Sequence, residues 1–96
     1  MTQESDIQHE EEGSKGRYWT VVDGHTAEMT YSRANEHLII IDHTGVPDAL
    51  RGKGVGVRLV ELAVREAMAS GTKIMPLCPF AKAQIQKRPE WQSVLS

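Results

Sequence analysis

Thr44-Gly45-Val46-Pro47-Asp48-Ala49-Leu50-Arg51-Gly52-Lys53-Gly54-Val55-Gly56 is the stretch whose reading decides the architecture. It joins the most hydrophobic strand candidate to the strongest helix candidate. Upstream, Leu38-Ile39-Ile40-Ile41 is apolar on both faces, as expected of a strand buried on both sides. Downstream, the spacing predicts a helix over Val55 to Ala69. Between them, Gly52, Gly54 and Gly56 allow a tight turn and a close backbone approach to a ligand, and the first helical turn offers unpaired N–H groups at a positive dipole end. Arg51 and Lys53 add cations that a purely structural turn does not require. The combination suits a phosphate.

Spacing discriminates among phosphate-binding loops. A P-loop, G-x-x-x-x-G-K-[ST], fails because Gly52-Lys53 is followed by Gly54 and Pro47 stands at the leading glycine. The dinucleotide fingerprint G-x-G-x-x-G fails on the glycine spacing and on a chain too short for a doubly wound fold. The pattern that fits is Arg/Gln-x-x-Gly-x-Gly/Ala, met by Arg51, Gly54 and Gly56. With Val46-Pro47 before it and an amphipathic helix after it, the loop resembles the acetyl-CoA pyrophosphate loop of the GNAT N-acetyltransferases. Together with His43-Thr44 and Cys78-Pro79-Phe80-Ala81-Lys82, in that order, it resembles a family of very small GNAT-like acetyltransferases. The resemblance covers the chain from about the second strand onward. It implies a pared-down α/β (α+β) GNAT fold: an antiparallel meander, then a β-α-β unit and a C-terminal helix. It also implies acetyl-CoA as cofactor. Thr44, Gly45 and Val46 are then expected to offer backbone to the pantetheine, and Arg51, Gly52, Lys53, Gly54, Val55 and Gly56 to hold the pyrophosphate. By the same resemblance Phe80 and Lys82 line the cofactor path, although Phe80 fits equally as core and Lys82 as a solvated helix residue.

Composition sets the bounds. Ninety-six residues, 40% hydrophobic and 25% charged, suffice for one core. The expected organisation is a flexible N-terminus over 1–6 and a single acetyl-CoA-binding domain over 7–96. A net charge of −2 gives no general attraction to nucleic acid or to an anionic membrane. One cysteine makes no internal disulfide and completes no zinc pattern, and the absence of a leader or a membrane-length apolar run agrees with a cytoplasmic setting. His9 with Glu10-Glu11-Glu12 is a solvated charge run in this reading, and no metal is assigned. A monomer or weak dimer is expected, with an unidentified acceptor.

Along the chain, Ile7 to Glu11 reads as an edge strand. Arg17 to Val22 and Thr26 to Arg33 read as strands joined by a hairpin at Asp23-Gly24, leading into a strand over His37 to Val46. On the helix, Val55, Leu59, Leu62, Ala63 and Ala67 form the apolar face, and Glu61 can pair with Arg65. Ser70-Gly71 ends it, Lys73 to Leu77 returns as a parallel strand, and a second helix runs from Pro79 to about Arg88. Trp91, Val94 and Leu95 fold back onto the core.

Cys78 is expected at the N-cap of the second helix, where the local field favours the thiolate; nucleophile and buried structural thiol both remain open. His43, at the end of the isoleucine-rich strand, is the candidate general base, with a backbone-bonded strand-end histidine as the alternative. A His43–Cys78 pairing would distinguish them. His37 is about 20 Å away along an extended strand, and with His25 reads as a turn-proximal surface residue. Asp42 points away from His43 unless the strand bulges. Neither Tyr18 nor Tyr31 lies on the second helix, where many GNAT enzymes place a general acid. The resulting reading is acetyl transfer from acetyl-CoA to an unidentified acceptor, expected to be an amine, directly with His43 as base or through acetyl-Cys78. The alternatives are a non-catalytic CoA-binding or interaction module and, behind it, a protein binding another diphosphate.

Overall fold

The computed structural model describes residues 7–96, so the expected flexible N-terminus lies outside the described residues. The strands β1 (Gln8–Glu12), β2 (Lys15–Val22), β3 (His25–Asn35) and β4 (Leu38–Gly45) form the meander. Helix α1 (Val55–Ser70) crosses over to β5 (Lys73–Pro76), which lies parallel to β4; α2 (Pro79–Gln86) and a 3₁₀ helix (Pro89–Val94) complete the fold. The sheet order is β1-β2-β3-β4-β5. This is the expected α/β architecture, with strand ends displaced by one or two residues and α2 ending before Arg88. Among the described residues no helix is long and apolar enough to cross a membrane.

Asp23 and Gly24 form the two-residue loop that lets Val22 pair with His25. On one face of the sheet, Tyr18, Ala27, Met29, Tyr31, Ile39 and Ile41 are buried in the core that the helices cover. That helix buries Val55, Leu59, Val60, Ala63, Val64 and Ala67. Leu62, expected in this stripe, is only half-buried, and Val60 and Val64 take the inner positions. The reason is that α1 touches α2 and the C-terminal 3₁₀ helix as well as the sheet, which widens its buried stripe towards them. Trp91 and Val94 return to the core, and Ser96 N donates to the Ile74 carbonyl at 3.0 Å, covering part of the β5 edge.

Two irregularities in β4 position everything that follows. Tyr31 pairs with Ile41 but Thr30 pairs with His43, so Asp42 is an extra residue, a β-bulge. Strand parity therefore shifts by one. Asp42, which accepts from the Ser32 hydroxyl at 3.1 Å, and His43, opposite Thr30, both lie on the outer face, away from α1. Thr44, opposite buried Met29, faces inward. The second irregularity is that β4 and β5 part company. Their register runs from Leu38↔Lys73 to Ile41↔Pro76 and stops, while β4 continues to Gly45. The amides of Leu77 and Cys78 both turn onto the Ile41 carbonyl, at 3.0 and 3.2 Å.

Candidate active site

The chain leaves β4 through Val46-Pro47, makes a 3₁₀ turn over Asp48–Leu50, and enters α1 through Gly52 and Gly54. Both glycines are left-handed, with φ of 81° and 73°, which strains any residue carrying a Cβ. Gly54 is the N-cap of α1 and no side chain caps the helix. The first-turn amides thus keep their donors for an anion, with the helix dipole behind them. At Gly56 the constraint is proximity: a Cβ there would lie 2.9 Å from Phe80 Cζ and 3.1 Å from Val46 Cγ2.

These elements enclose a groove of about 480 Å³ lined by Thr44, Val46, Arg51, Gly52, Gly54, Val55, Gly56 and Phe80, together with Leu50 and Val57. Eight of these residues were expected at the site. Leu50 and Val57 were not, because their part in the groove depends on how the 3₁₀ turn folds over the helix start. The glycine backbone, uncapped amides and apolar walls suit an elongated anionic ligand. A larger hollow of about 540 Å³ on the outer face is lined by Glu10, Glu12, Arg17 and Asp42 among others, but it lies away from the loop. Its Arg17 is held by Glu28 at 2.9 Å and Glu10 at 3.4 Å. Amide donors, which the first groove has, decide between the two.

The cations at the loop differ in what they do. Arg51 pairs with Asp48 at 3.1 Å, but both side chains are so exposed, 78% and 90%, that the pair adds little rigidity. Lys53 reaches Asp23 in the β2–β3 turn at 3.1 Å, tying loop to hairpin rather than lining the groove. Arg58, not expected among the site residues, donates from Nη1 to the Lys53 carbonyl at 3.0 Å and braces the turn. Its position four residues after Gly54 is the signal that could have found it. Lys82 is exposed on α2 and Gly45 lies beside the His43 ring; neither is among the groove's lining residues.

Cys78 stands at the N-cap of α2, as expected, and is almost wholly buried. Its thiol donates to Thr44 Oγ1 at 3.4 Å, across the gap where β4 and β5 separate. Burial pushes the thiol up, but the Thr44 hydroxyl and backbone hydrogen bonds with Ala81, Phe80 and Thr44 outweigh it and leave the pKa below the ordinary value. The pairing that would have joined Cys78 to His43 is not formed: the bulge puts His43 on the outer face and Thr44 beside the sulfur.

Tyr18 and Tyr31 are remote from this groove. Tyr18 Oη donates to Glu66 at 2.8 Å and Tyr31 Oη to Glu11 at 2.7 Å, while His9 stacks on Tyr18, shares a 2.7 Å hydrogen bond with Tyr31 and lies 3.2 Å from Glu66. Burial and then these carboxylates raise both phenols well above their ordinary value. The histidine and Glu11, read from sequence as part of a solvated charge run, instead clasp β1 to β3 and to the C-terminal part of α1. This contact joins residues far apart in the chain, so no local pattern reveals it.

The chain matches the family described as GCN5-related N-acetyl-transferase over residues 17–94. It is similar to the solution structure of a GCN5-like protein from Staphylococcus aureus described as a candidate N-acetyltransferase. The two share 34% identity at a TM-score of 0.72, over 96% of this chain and 90% of that one. Among curated proteins none matches.

Proposed function

Since the chain belongs to the GCN5-related N-acetyltransferase family, we propose that it takes the acetyl group of acetyl-CoA, bound in the β4–α1 groove, and delivers it to an amine. The observation that carries this reading is the continuity of the groove, from the uncapped amides at Gly54–Gly56 to Thr44, the hydrogen-bond partner of Cys78. Acetyl-CoA supplies an activated thioester carbonyl. Residues 51–56 hold its pyrophosphate, and Thr44, Gly45 and Val46, on the stretch of β4 that has lost its β5 partner, receive the pantetheine. Phe80 and Lys82 are assigned to the cofactor path, Phe80 from the groove wall.

Two routes use the chain's residues differently. In one, Cys78 Sγ attacks the thioester carbonyl, the bond to the CoA sulfur breaks, and CoA departs as thiolate. An amine then attacks acetyl-Cys78, forming the amide, returning the Cys78 thiolate and losing its proton to solvent. In the other, the amine attacks directly and His43 takes its proton. The inward Cys78 thiol, whose hydrogen bonds favour its ionisation, supports the first route; the outward His43 suits an acceptor arriving over the uncovered sheet face. That open face favours one further reading, a CoA-binding or interaction module without acceptor chemistry. Calorimetry with acetyl-CoA and CoA tests the cofactor assignment, and absence of binding to either overturns it. Mass spectrometry after incubation with acetyl-CoA reads a covalent acetyl on Cys78. Binding without acetylation of protein or of any amine leaves the module. We assign the protein to the cytoplasm, as a monomer or weak dimer that needs neither metal nor nucleic acid.

A further inference from the structure

The bulge at Asp42 does more than separate His43 from Cys78: it turns the hydroxyl of Thr44 onto the sulfur. We propose that the Thr44 side chain is a positioning residue for Cys78, holding the thiolate against the groove wall by a hydrogen bond whose direction reverses as the sulfur ionises. In the neutral pair the thiol donates to Thr44 Oγ1 at 3.4 Å. Once the thiol has lost its proton to solvent, the hydroxyl rotates and donates to the thiolate, which only a hydroxyl-bearing side chain can do. This role is separate from the backbone contact assigned to Thr44, and it rests on the covalent route proposed for Cys78.

Three observations converge on it. Thr44 is placed inward by register, opposite buried Met29, although simple alternation from Ile41 would place it outward. It lines the groove while Cys78 is buried behind it, so the hydrogen bond joins the groove wall to the sulfur. The leading influences on Cys78 besides burial are hydrogen bonds to uncharged groups: the Thr44 hydroxyl and backbone of Ala81, Phe80 and Thr44. The charged groups on surrounding elements, Asp42 and His43 on the outer face of β4, Asp48 and Arg51 in the 3₁₀ turn, Arg58 on α1 and Lys82 on α2, are not among those leading influences.

The experiment is the pH dependence of Cys78 alkylation by iodoacetamide in wild type, Thr44→Val and Thr44→Ser, each checked for native circular dichroism. Thr44→Val, nearly isosteric but without the hydroxyl, should move the midpoint of the rate profile up by about one pH unit, cutting alkylation below the midpoint about tenfold. Thr44→Ser should keep the wild-type midpoint. A purely structural role would change the limiting rate through access and leave the midpoint in place. A Thr44→Val profile that superimposes on wild type, a Thr44→Ser profile shifted as far as Thr44→Val, or no alkylation of the folded protein at any pH would each overturn the proposal. Because alkylation needs no acetyl-CoA, a shifted midpoint in a protein that fails to bind acetyl-CoA would retain this role for Thr44 and discard the proposed function instead.

Discussion

At the scale of single residues, the groove separates side chains that occupy space from side chains that carry charge. Gly54 sits at φ 73° with its backbone turned to the groove, so Gly54→Val meets a conformation that a β-branched residue resists and also narrows the approach to the amides. We expect acetyl-CoA affinity to fall at least tenfold. Lys53→Ala removes an exposed ion pair with Asp23 and should cost no more than about threefold. Calorimetry on the two variants checks the order; equal small losses would reduce the loop to a structural turn. Cys78→Ser keeps the volume but not the ionisable sulfur. It should abolish acetyl transfer, on the covalent route, while leaving CoA affinity within about twofold. Persistent turnover would leave direct attack, and His43→Ala should then slow that turnover without weakening binding.

At the scale of elements, α1 has two differently equipped ends. Its N-terminus has no acidic residue in the first turn and no side-chain cap, which leaves the positive dipole end unopposed for phosphate. Binding should weaken as salt rises, an expectation checked by calorimetry across an ionic-strength series, and salt-independent affinity would argue against the phosphate seat. Near the other end, Glu66 meets His9 and Tyr18, and Glu11 on β1 accepts from Arg33 Nε at 3.0 and 2.9 Å and from Tyr31. The hydrogen bond from Arg33, followed by that from Tyr31, holds the Glu11 carboxyl below its ordinary value of 4.5. A depressed folded-state value stabilises the fold above the unfolded value and loses that contribution as pH falls through the lower one. Thermal unfolding from pH 7 to 3 should therefore show a steeper fall for wild type than for Glu11→Gln. The variant itself should be less stable by about 1 kcal/mol at pH 7. Identical slopes would show that Glu11 does not link folding to pH.

For the whole molecule, the clasp on β1 and the β4–α1 groove are largely independent, because the stretch of α1 from Gly56 to Glu66 extends for about 15 Å between them. His9→Ala should lower the melting temperature by several degrees while leaving acetyl-CoA affinity within about twofold, and a parallel loss of affinity would contradict that separation. Periodicity and turn chemistry made most elements legible in the sequence. Alternation in β3, the Asp23-Gly24 loop, the α1 spacing and Pro79 at the start of α2 act between near neighbours. The glycine loop was legible for the same reason, since left-handed backbone and a free helix start are local properties. The face on which a β4 residue lies is not local. It depends on pairing with β3, and one extra residue at Asp42 reverses the parity of every position beyond it. The sequence by itself therefore determined that His43, Thr44 and Cys78 would lie near one end of the sheet. Only the tertiary structure decided that Thr44 meets the sulfur and His43 faces away, because register is a property of two strands and not of one.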